Sequence, residues 1–291
     1  MAEPESCVIE TRDPVYGALA FDALAAGPLT GDLVLLLHGF PQTKRSFRLQ
    51  LPVLAAAGYR AVAIDQRGYS PGARPAGVDA YRTDRLTADV LRVADALGAD
   101  RFHLVGHDFG AVVGWQVAAR HGDRLATFTS LSVGHPLAFL EAYAAPDGEQ
   151  KARSSYFEWF VNPATDAELG SYESMRNLYV SAGFSEPDAV EYATALGSPE
   201  AIGSGLNWYR ASGPHQIVDL PVVTVPTLLV WSTEDPALGR RQAENTARHV
   251  AGAYRFEVID GVDHWLPELA PERVNALLLE HLGAHAIAAA G

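Results

Sequence analysis

The chain has almost no cysteine and no long apolar run. Cys7 is the single thiol among 291 residues, which excludes an intramolecular disulfide and any cysteine-based zinc cluster. No uninterrupted apolar stretch approaches the ~18–20 residues needed to span a bilayer. The amino end, Met1-Ala2-Glu3-Pro4-Glu5-Ser6, lacks the positive n-region and apolar core of a signal peptide, so the default expectation is a cytoplasmic protein. Positive charge is also scarce. With 22 Lys and Arg against 35 Asp and Glu the net charge is −13, which argues against nucleic acid or an anionic membrane as partner. His121, His135, His215, His249, His281 and His285 have no neighbour at metal-ligand spacing, and neither metal nor cofactor is expected. The 48% hydrophobic content suffices for a real core, either one large α/β domain or a core with an insertion.

The apolar pattern supplies the order of elements. Residues 7–12 and 15–23 read as two weak strands forming a hairpin at a sheet edge. Leu33–Leu37 is a continuous apolar run, as expected of a strand covered on both faces. A helix is expected from Lys44 to Ala57, a strand over Arg60–Ile64, a helix over Thr83–Leu97 and strands at Phe102–Val105 and Leu125–Val133. This alternation means a parallel sheet with right-handed crossovers. From about Gly134 to Pro221 the chain turns helical, aromatic-rich and strand-poor. The rhythm resumes with a strand at Thr227–Trp231, a helix near Arg240–Val250, a strand at Tyr254–Ile259 and a last helix over Pro271–Leu282. The expected architecture is an α/β core formed by residues 1–134 and 222–291, with residues 135–221 inserted as a helical cap. Such a cap would sit over the carboxyl ends of the strands, where open α/β sheets bind ligands.

The organising motif is Gly106-His107-Asp108-Phe109-Gly110, between the strand at Phe102–Val105 and a helix. In the related G-x-S-x-G elbow, small residues let the chain turn sharply and present the central side chain at the top of the sheet. Here that side chain is a carboxylate, ionised at neutral pH with an ordinary pKa of about 3.9. It needs no base to attack, and it suits displacement at a saturated carbon, leaving an alkyl-enzyme ester. Water must then cut that ester. His264, past the last strand, is the candidate base and Asp235, past the preceding strand, the acid that orients it, with Glu234 a rival by one position. The main-chain N–H groups of Phe109 and of Phe40, in His38-Gly39-Phe40-Pro41, are the candidate oxyanion donors. His38, His107, Asp65 and Arg67 read as supports for their loops.

These motifs resemble the nucleophile and HGxP signatures of the α/β-hydrolase-fold epoxide hydrolases, over roughly residues 30–282. The resemblance implies a doubly wound, mostly parallel sheet with a helical cap, and two cap tyrosines that donate to the epoxide oxygen. Tyr156, in Tyr156-Phe157-Glu158-Trp159-Phe160, and Tyr209, in Asn207-Trp208-Tyr209-Arg210, match those positions. The register of Tyr156 is open by one residue. Phe139, Tyr143, Phe157, Trp159, Tyr172, Tyr179 and Trp208 are expected mainly in the cap core, a minority lining the pocket. Two phenols suit an expelled alkoxide, which must gain a proton, whereas a halide needs none. Haloalkane dehalogenases resembling this chain place an indole N–H directly after the nucleophile, where this chain has Phe109. Fluoroacetate dehalogenases carry arginines there. The expected activity is hydrolysis of a small apolar epoxide, with water as co-substrate. A haloalkane dehalogenase and a non-catalytic ligand-binding homologue are the alternatives, and a homo-oligomer is left open.

Overall fold

The computed structural model describes residues 3–212 and 220–287; His215 falls outside them. Strands β1 (Glu5–Asp13) and β2 (Gly17–Ala26) form the expected antiparallel hairpin at one edge. They are followed by β3 (Leu33–Leu37), helix α1 (Leu51–Ala56), β4 (Arg60–Ile64), α2 (Thr83–Ala96), β5 (Phe102–His107), α3 (Phe109–Arg120) and β6 (Leu125–Leu131). Seven helices come next among the described residues: α4 (Pro136–Tyr143), α5 (Glu149–Arg153), α6 (Tyr156–Phe160), α7 (Thr165–Leu169), α8 (Tyr172–Ser181), α9 (Glu186–Leu196) and α10 (Pro199–Ala211). The chain then returns through β7 (Thr227–Ser232), α11 (Arg240–Asn245), β8 (Tyr254–Ile259), α12 (Leu266–Leu269) and α13 (Pro271–Gly283). No helix among the described residues is long and apolar enough to cross a membrane.

The sheet order is β1-β2-β4-β3-β5-β6-β7-β8, parallel from β4 to β8. Both faces of the parallel part are covered, which explains the unbroken apolar runs. In β3, Leu35 and Leu37 pack with α2, α3 and the helices after β6, while Val34 and Leu36 face α1 and α13. The chain leaves β3 for β4 on one side and comes back to β5 on the other, so the order reverses between β3 and β5. At such a switch point the loops diverge and leave a crevice at the carboxyl ends of the strands. The His38–Pro41 loop and Asp108 stand at that crevice, because Leu37 pairs with Gly106 in the sheet.

The helix expected from Lys44 to Ala57 is instead a 3₁₀ turn, Lys44–Phe47, followed by α1. Pro52, in the first turn of α1, has no N–H to bond back to residue 48, and this separates the two pieces. The segment expected near Arg240–Val250 likewise ends in a 3₁₀ turn, Thr246–His249, after α11. Tyr143, Trp159 and Tyr172 were expected in the cap core but lie exposed. Short α6 turns Tyr156, Phe157 and Phe160 inward and Trp159 outward, where its indole N–H donates to Glu168.

Arg67 is buried beneath the loop after β4. Its guanidinium donates to Asp89 at 2.6 and 2.7 Å, to Asp13 at 2.9 Å and to the Ala80 carbonyl at 3.1 Å. Its own carbonyl accepts from the Trp208 indole at 2.9 Å, tying the loop to α10. Arg67→Met keeps the volume but strands two buried carboxylates, with only Arg92 left to face them. A loss of about 3–5 kcal/mol is expected, read as a lowered urea midpoint.

Candidate active site

Asp108 has φ +51° and ψ −123°, a backbone conformation strained for a residue with a side chain and characteristic of functional turns. The turn closes only with glycines at Gly106 and Gly110. A Cβ on Gly106 would lie 2.4 Å from the Gly110 carbonyl oxygen, and one on Gly110 2.1 Å from the Leu37 oxygen. A Cβ on Gly39 would likewise fall 2.3 Å from the Asp108 Cβ. The motif is therefore a packing solution that brings two loops into contact around one carboxylate.

The loop after β3 is fixed from below. His38 Nε2 accepts from the Gln66 N–H at 3.2 Å, so its Nδ1 carries the proton and donates to the Gly39 carbonyl at 2.8 Å. The Gln66 side-chain amide donates to the His38 carbonyl at 2.5 Å. Lys44 holds Asp65 through both its main-chain and side-chain nitrogens. Within this frame the Phe40 N–H donates to Asp108 Oδ1 over 2.8 Å. The Phe109 N–H opens α3, which the Asp108 side chain does not cap.

His264 lies between two carboxylates. Its Nδ1 is 2.7 Å from Asp235 Oδ2, and its Nε2 is 3.4 Å from Asp108 Oδ2. Asp235 has no exposed side-chain surface, and its Oδ1 accepts from the Ala237 and Leu238 N–H groups at 2.9 and 2.8 Å. That arrangement fixes Nδ1 as the nitrogen facing the acid and leaves Nε2 free for chemistry. Glu234, the rival, is exposed. Burial alone would lower the His264 pKa, but the Asp235 charge and the bonds to both carboxylates outweigh it and raise it well above its ordinary value. Burial alone would raise the Asp108 pKa; His264, His107 and the Phe40 N–H overcome this and hold it below the usual carboxylate value. The free site therefore favours an imidazolium between two anions.

A cavity of about 300 Å³ opens onto Asp108, His264, Tyr156 and Tyr209 together. A second, of about 120 Å³, reaches Asp108, Tyr156 and Tyr209 from the side of Phe109, Phe139 and Phe157. The two phenol rings are 6.3 Å apart, and the Tyr209 ring is gripped edge-on by Phe40 and Phe109 at 5.2 and 4.6 Å. Burial, and then the Asp108 charge, raises the pKa of both phenols above the ordinary value, so they stand as protonated donors. Tyr156, and neither of its chain neighbours Ser155 and Phe157, lines the larger cavity with Asp108, Tyr209 and His264. Among the described residues no group of three or more His, Cys, Asp or Glu converges where a cation could sit.

Sequence reasoning missed several side chains around these groups. Ser132, also at positive φ (72°), donates its hydroxyl to the His264 carbonyl at 2.9 Å. Arg153, at the end of α5, donates to the Asp235 carbonyl at 2.7 Å. Gln42 and Glu268 connect to the same region through His107. A hydroxyl, an arginine, a loop glutamine and a glutamate in a one-turn helix carry no spacing signal that sets them apart from surface groups.

The family model for the alpha/beta hydrolase fold matches residues 32–271. The chain is 33% identical to Epoxide hydrolase A of Mycobacterium tuberculosis, an alignment covering 97% of this chain and 98% of that one. It is also 33% identical to the AB hydrolase superfamily protein YfhM of Bacillus subtilis, covering 89% and 92%. The crystal structure of Epoxide Hydrolase A from Mycobacterium thermoresistibile superposes with a TM-score of 0.82 at 29% identity, covering 98% of this chain and all of that one. With an aspartate at the elbow after β5, a second aspartate after β7 and a histidine after β8, and relatives aligned over nearly their whole length, this chain belongs to the α/β-hydrolase-fold epoxide hydrolase family.

Proposed function

We propose that the chain is a cofactor-independent epoxide hydrolase that converts a small apolar epoxide and water into a vicinal diol. Residues 135–221 act as a cap over a core formed by residues 1–134 and 222–291. The observation that carries this reading is the pair of protonated phenols, Tyr156 and Tyr209, in one cavity with Asp108 and His264. In the first step Asp108 Oδ2 bonds to an epoxide carbon as the carbon–oxygen bond of the ring breaks. The alkoxide formed is far more basic than a phenol of pKa about 10, and it takes a proton from one tyrosine while the other hydrogen-bonds to it. In the second step His264 removes a proton from water, and the hydroxide adds to the Asp108 carboxyl carbon. Charge collects on Oδ1, where the Phe40 N–H already points and the Phe109 N–H is the second donor. The ester bond then breaks; the departing Oδ2 takes the proton of the added hydroxyl, so that the diol leaves neutral and Asp108 is again a carboxylate, and the proton that His264 took from water returns to the tyrosinate. The apolar walls contributed by Phe40, Phe160, Leu178 and Trp265 suit a substrate without charge.

Tyr156→Phe combined with Tyr209→Phe should lower the rate of epoxide opening by roughly 10²–10⁴-fold, the usual worth of general acid assistance. The assay pairs an aryl or alkyl epoxide with a haloalkane of matched size, measuring diol and halide. Diol formation that falls in the double variant, with little halide release from either protein, supports the reading. Halide release exceeding diol formation in the unsubstituted enzyme overturns it.

A further inference from the structure

A file of three side chains runs from the back of His264 to a carboxylate buried between core and cap. The His264 carbonyl faces His107 Nε2 at 2.9 Å; His107 Nδ1 faces Gln42 Oε1 at 3.1 Å; the amide nitrogen of Gln42 lies against Glu268 Oε2. Glu268 Oε1 accepts from Arg48 at 2.5 Å and from the Tyr192 hydroxyl at 2.9 Å, leaving Oε2 to Gln42. His107 and Gln42 are fully buried, and the Glu268 side chain is 3% exposed.

The proton count along this file is constrained. A carbonyl oxygen only accepts, so His107 must present Nε2–H to His264. A neutral imidazole then has a bare Nδ1, which requires the NH₂ end of Gln42. That exchanges the amide's O and N relative to the orientation in the structure, a half-turn that leaves the heavy-atom positions unchanged; the oxygen then faces Glu268, and two acceptors can meet there only if Glu268 Oε2 carries a hydrogen. If Glu268 is ionised, every bond reverses: the Gln42 NH₂ serves the carboxylate, His107 donates from Nδ1, and bare Nε2 confronts the His264 carbonyl. An ionised Glu268 is compatible with Nε2–H only through a charged, fully buried imidazolium.

We propose that His107, Gln42 and Glu268 are positioning residues for His264, forming a file protonated at Glu268 that holds the main-chain carbonyl of the base and reverses polarity when that proton leaves. The proposal rests on the reading of His264 as the water-activating base. Burial raises the Glu268 pKa to about 7 and lowers that of His107 to about 4, which places the proton on the carboxyl. The charged and titratable groups around Glu268 are Arg48, Asp188 (itself paired with Arg45 and Arg48), Tyr192 and Tyr179. At the other end of the file, His107 feels the charges of His264, Asp108 and Asp235. Below about pH 7 the file is intact. Above it Glu268 ionises, the His264 carbonyl loses one of its three donors and keeps only the Ser132 hydroxyl and the Leu266 N–H, and ester hydrolysis slows.

The test has two readouts. Long-range ¹H–¹⁵N spectra of histidine-labelled protein, assigned with His107→Asn, report the His107 tautomer without any substrate. At pH 6 the expected form is Nε2–H. At pH 9 it is Nδ1–H in the unsubstituted protein but still Nε2–H in Glu268→Gln, whose neutral amide mimics the protonated acid. In single-turnover kinetics, Glu268→Leu should slow ester hydrolysis roughly ten- to hundredfold at pH 6.5 through misplacement of the base. Glu268→Gln should restore most of that rate and abolish the fall above pH 7. An Nδ1–H or imidazolium form at pH 6, or a Glu268→Gln pH profile that overlays the unsubstituted one, overturns the proposal. A tautomer switch in a protein that turns over no epoxide would uphold the file and overturn the reaction.

Discussion

Asp108→Asn should reduce diol formation by at least roughly 10⁴-fold, the scale on which loss of a nucleophile acts in enzymes that form a covalent intermediate. An amide oxygen has neither the charge nor the basicity to displace an alkoxide. The fold should survive, because asparagine is among the residues best tolerated at positive φ, and its carbonyl oxygen can still accept from the Phe40 N–H at the 2.8 Å that Asp108 uses. Thermal unfolding within a few degrees of the unsubstituted protein, together with absent turnover, is the expected pair of results. Asp108→Ala provides the control that cannot revert, since an amide beside a water-activating histidine can itself be hydrolysed. Turnover above one-hundredth of the original in Asp108→Ala would remove the displacement mechanism.

The parts of this molecule legible from the sequence are those in which a local pattern has a single physical solution. Five apolar residues from Leu33 to Leu37 mean a strand buried on both sides, and the two faces of β3 do meet different helix layers. Gly106, Asp108 and Gly110 are readable because only glycines fit where the close contacts fall. Asp235 was favoured over Glu234 by one residue of register, and the structure pairs Asp235 with His264. The break at Pro52 was legible in principle; the apolar pattern across it hid the missing N–H. Gln42 and Glu268 were not legible at all. They are 226 residues apart, and Glu268, in the first turn of α12, looks like an ordinary carboxylate near a helix N-terminus. Its burial depends on Tyr192 and Arg48 arriving from elsewhere in the chain, a tertiary fact with no local signature.

His264→Gln should leave the first step running and stall the second, so that the protein gains the mass of one substrate molecule. In the proposed mechanism the displacement by Asp108 uses no base, and the phenols assigned to protonate the alkoxide are untouched by the substitution. Hydrolysis of the ester loses its general base, a deficit of roughly 10²–10⁴-fold, enough for the adduct to persist through intact-mass measurement. The geometry also ties the strength of the base to the progress of the reaction. In the free enzyme His264 Nε2 is 3.4 Å from the Asp108 carboxylate and Nδ1 is 2.7 Å from Asp235, and the two anions favour the protonated ring. Once Asp108 is an uncharged ester, one of those anions is gone and the His264 pKa falls toward its ordinary value, so the ring can accept a proton when water must be activated. Below about pH 7, where Glu268 keeps its proton, ester hydrolysis followed after rapid formation of the adduct should therefore rise with pH as His264 loses its proton, and His264→Gln should lack this rise. In ¹⁸O-labelled water the unsubstituted enzyme should carry label in the Asp108 carboxyl group after a single turnover, while the stalled variant, digested as the intact ester, should carry none. Label found only in the diol after that first turnover would mean that water attacks the substrate directly, with Asp108 outside the covalent path.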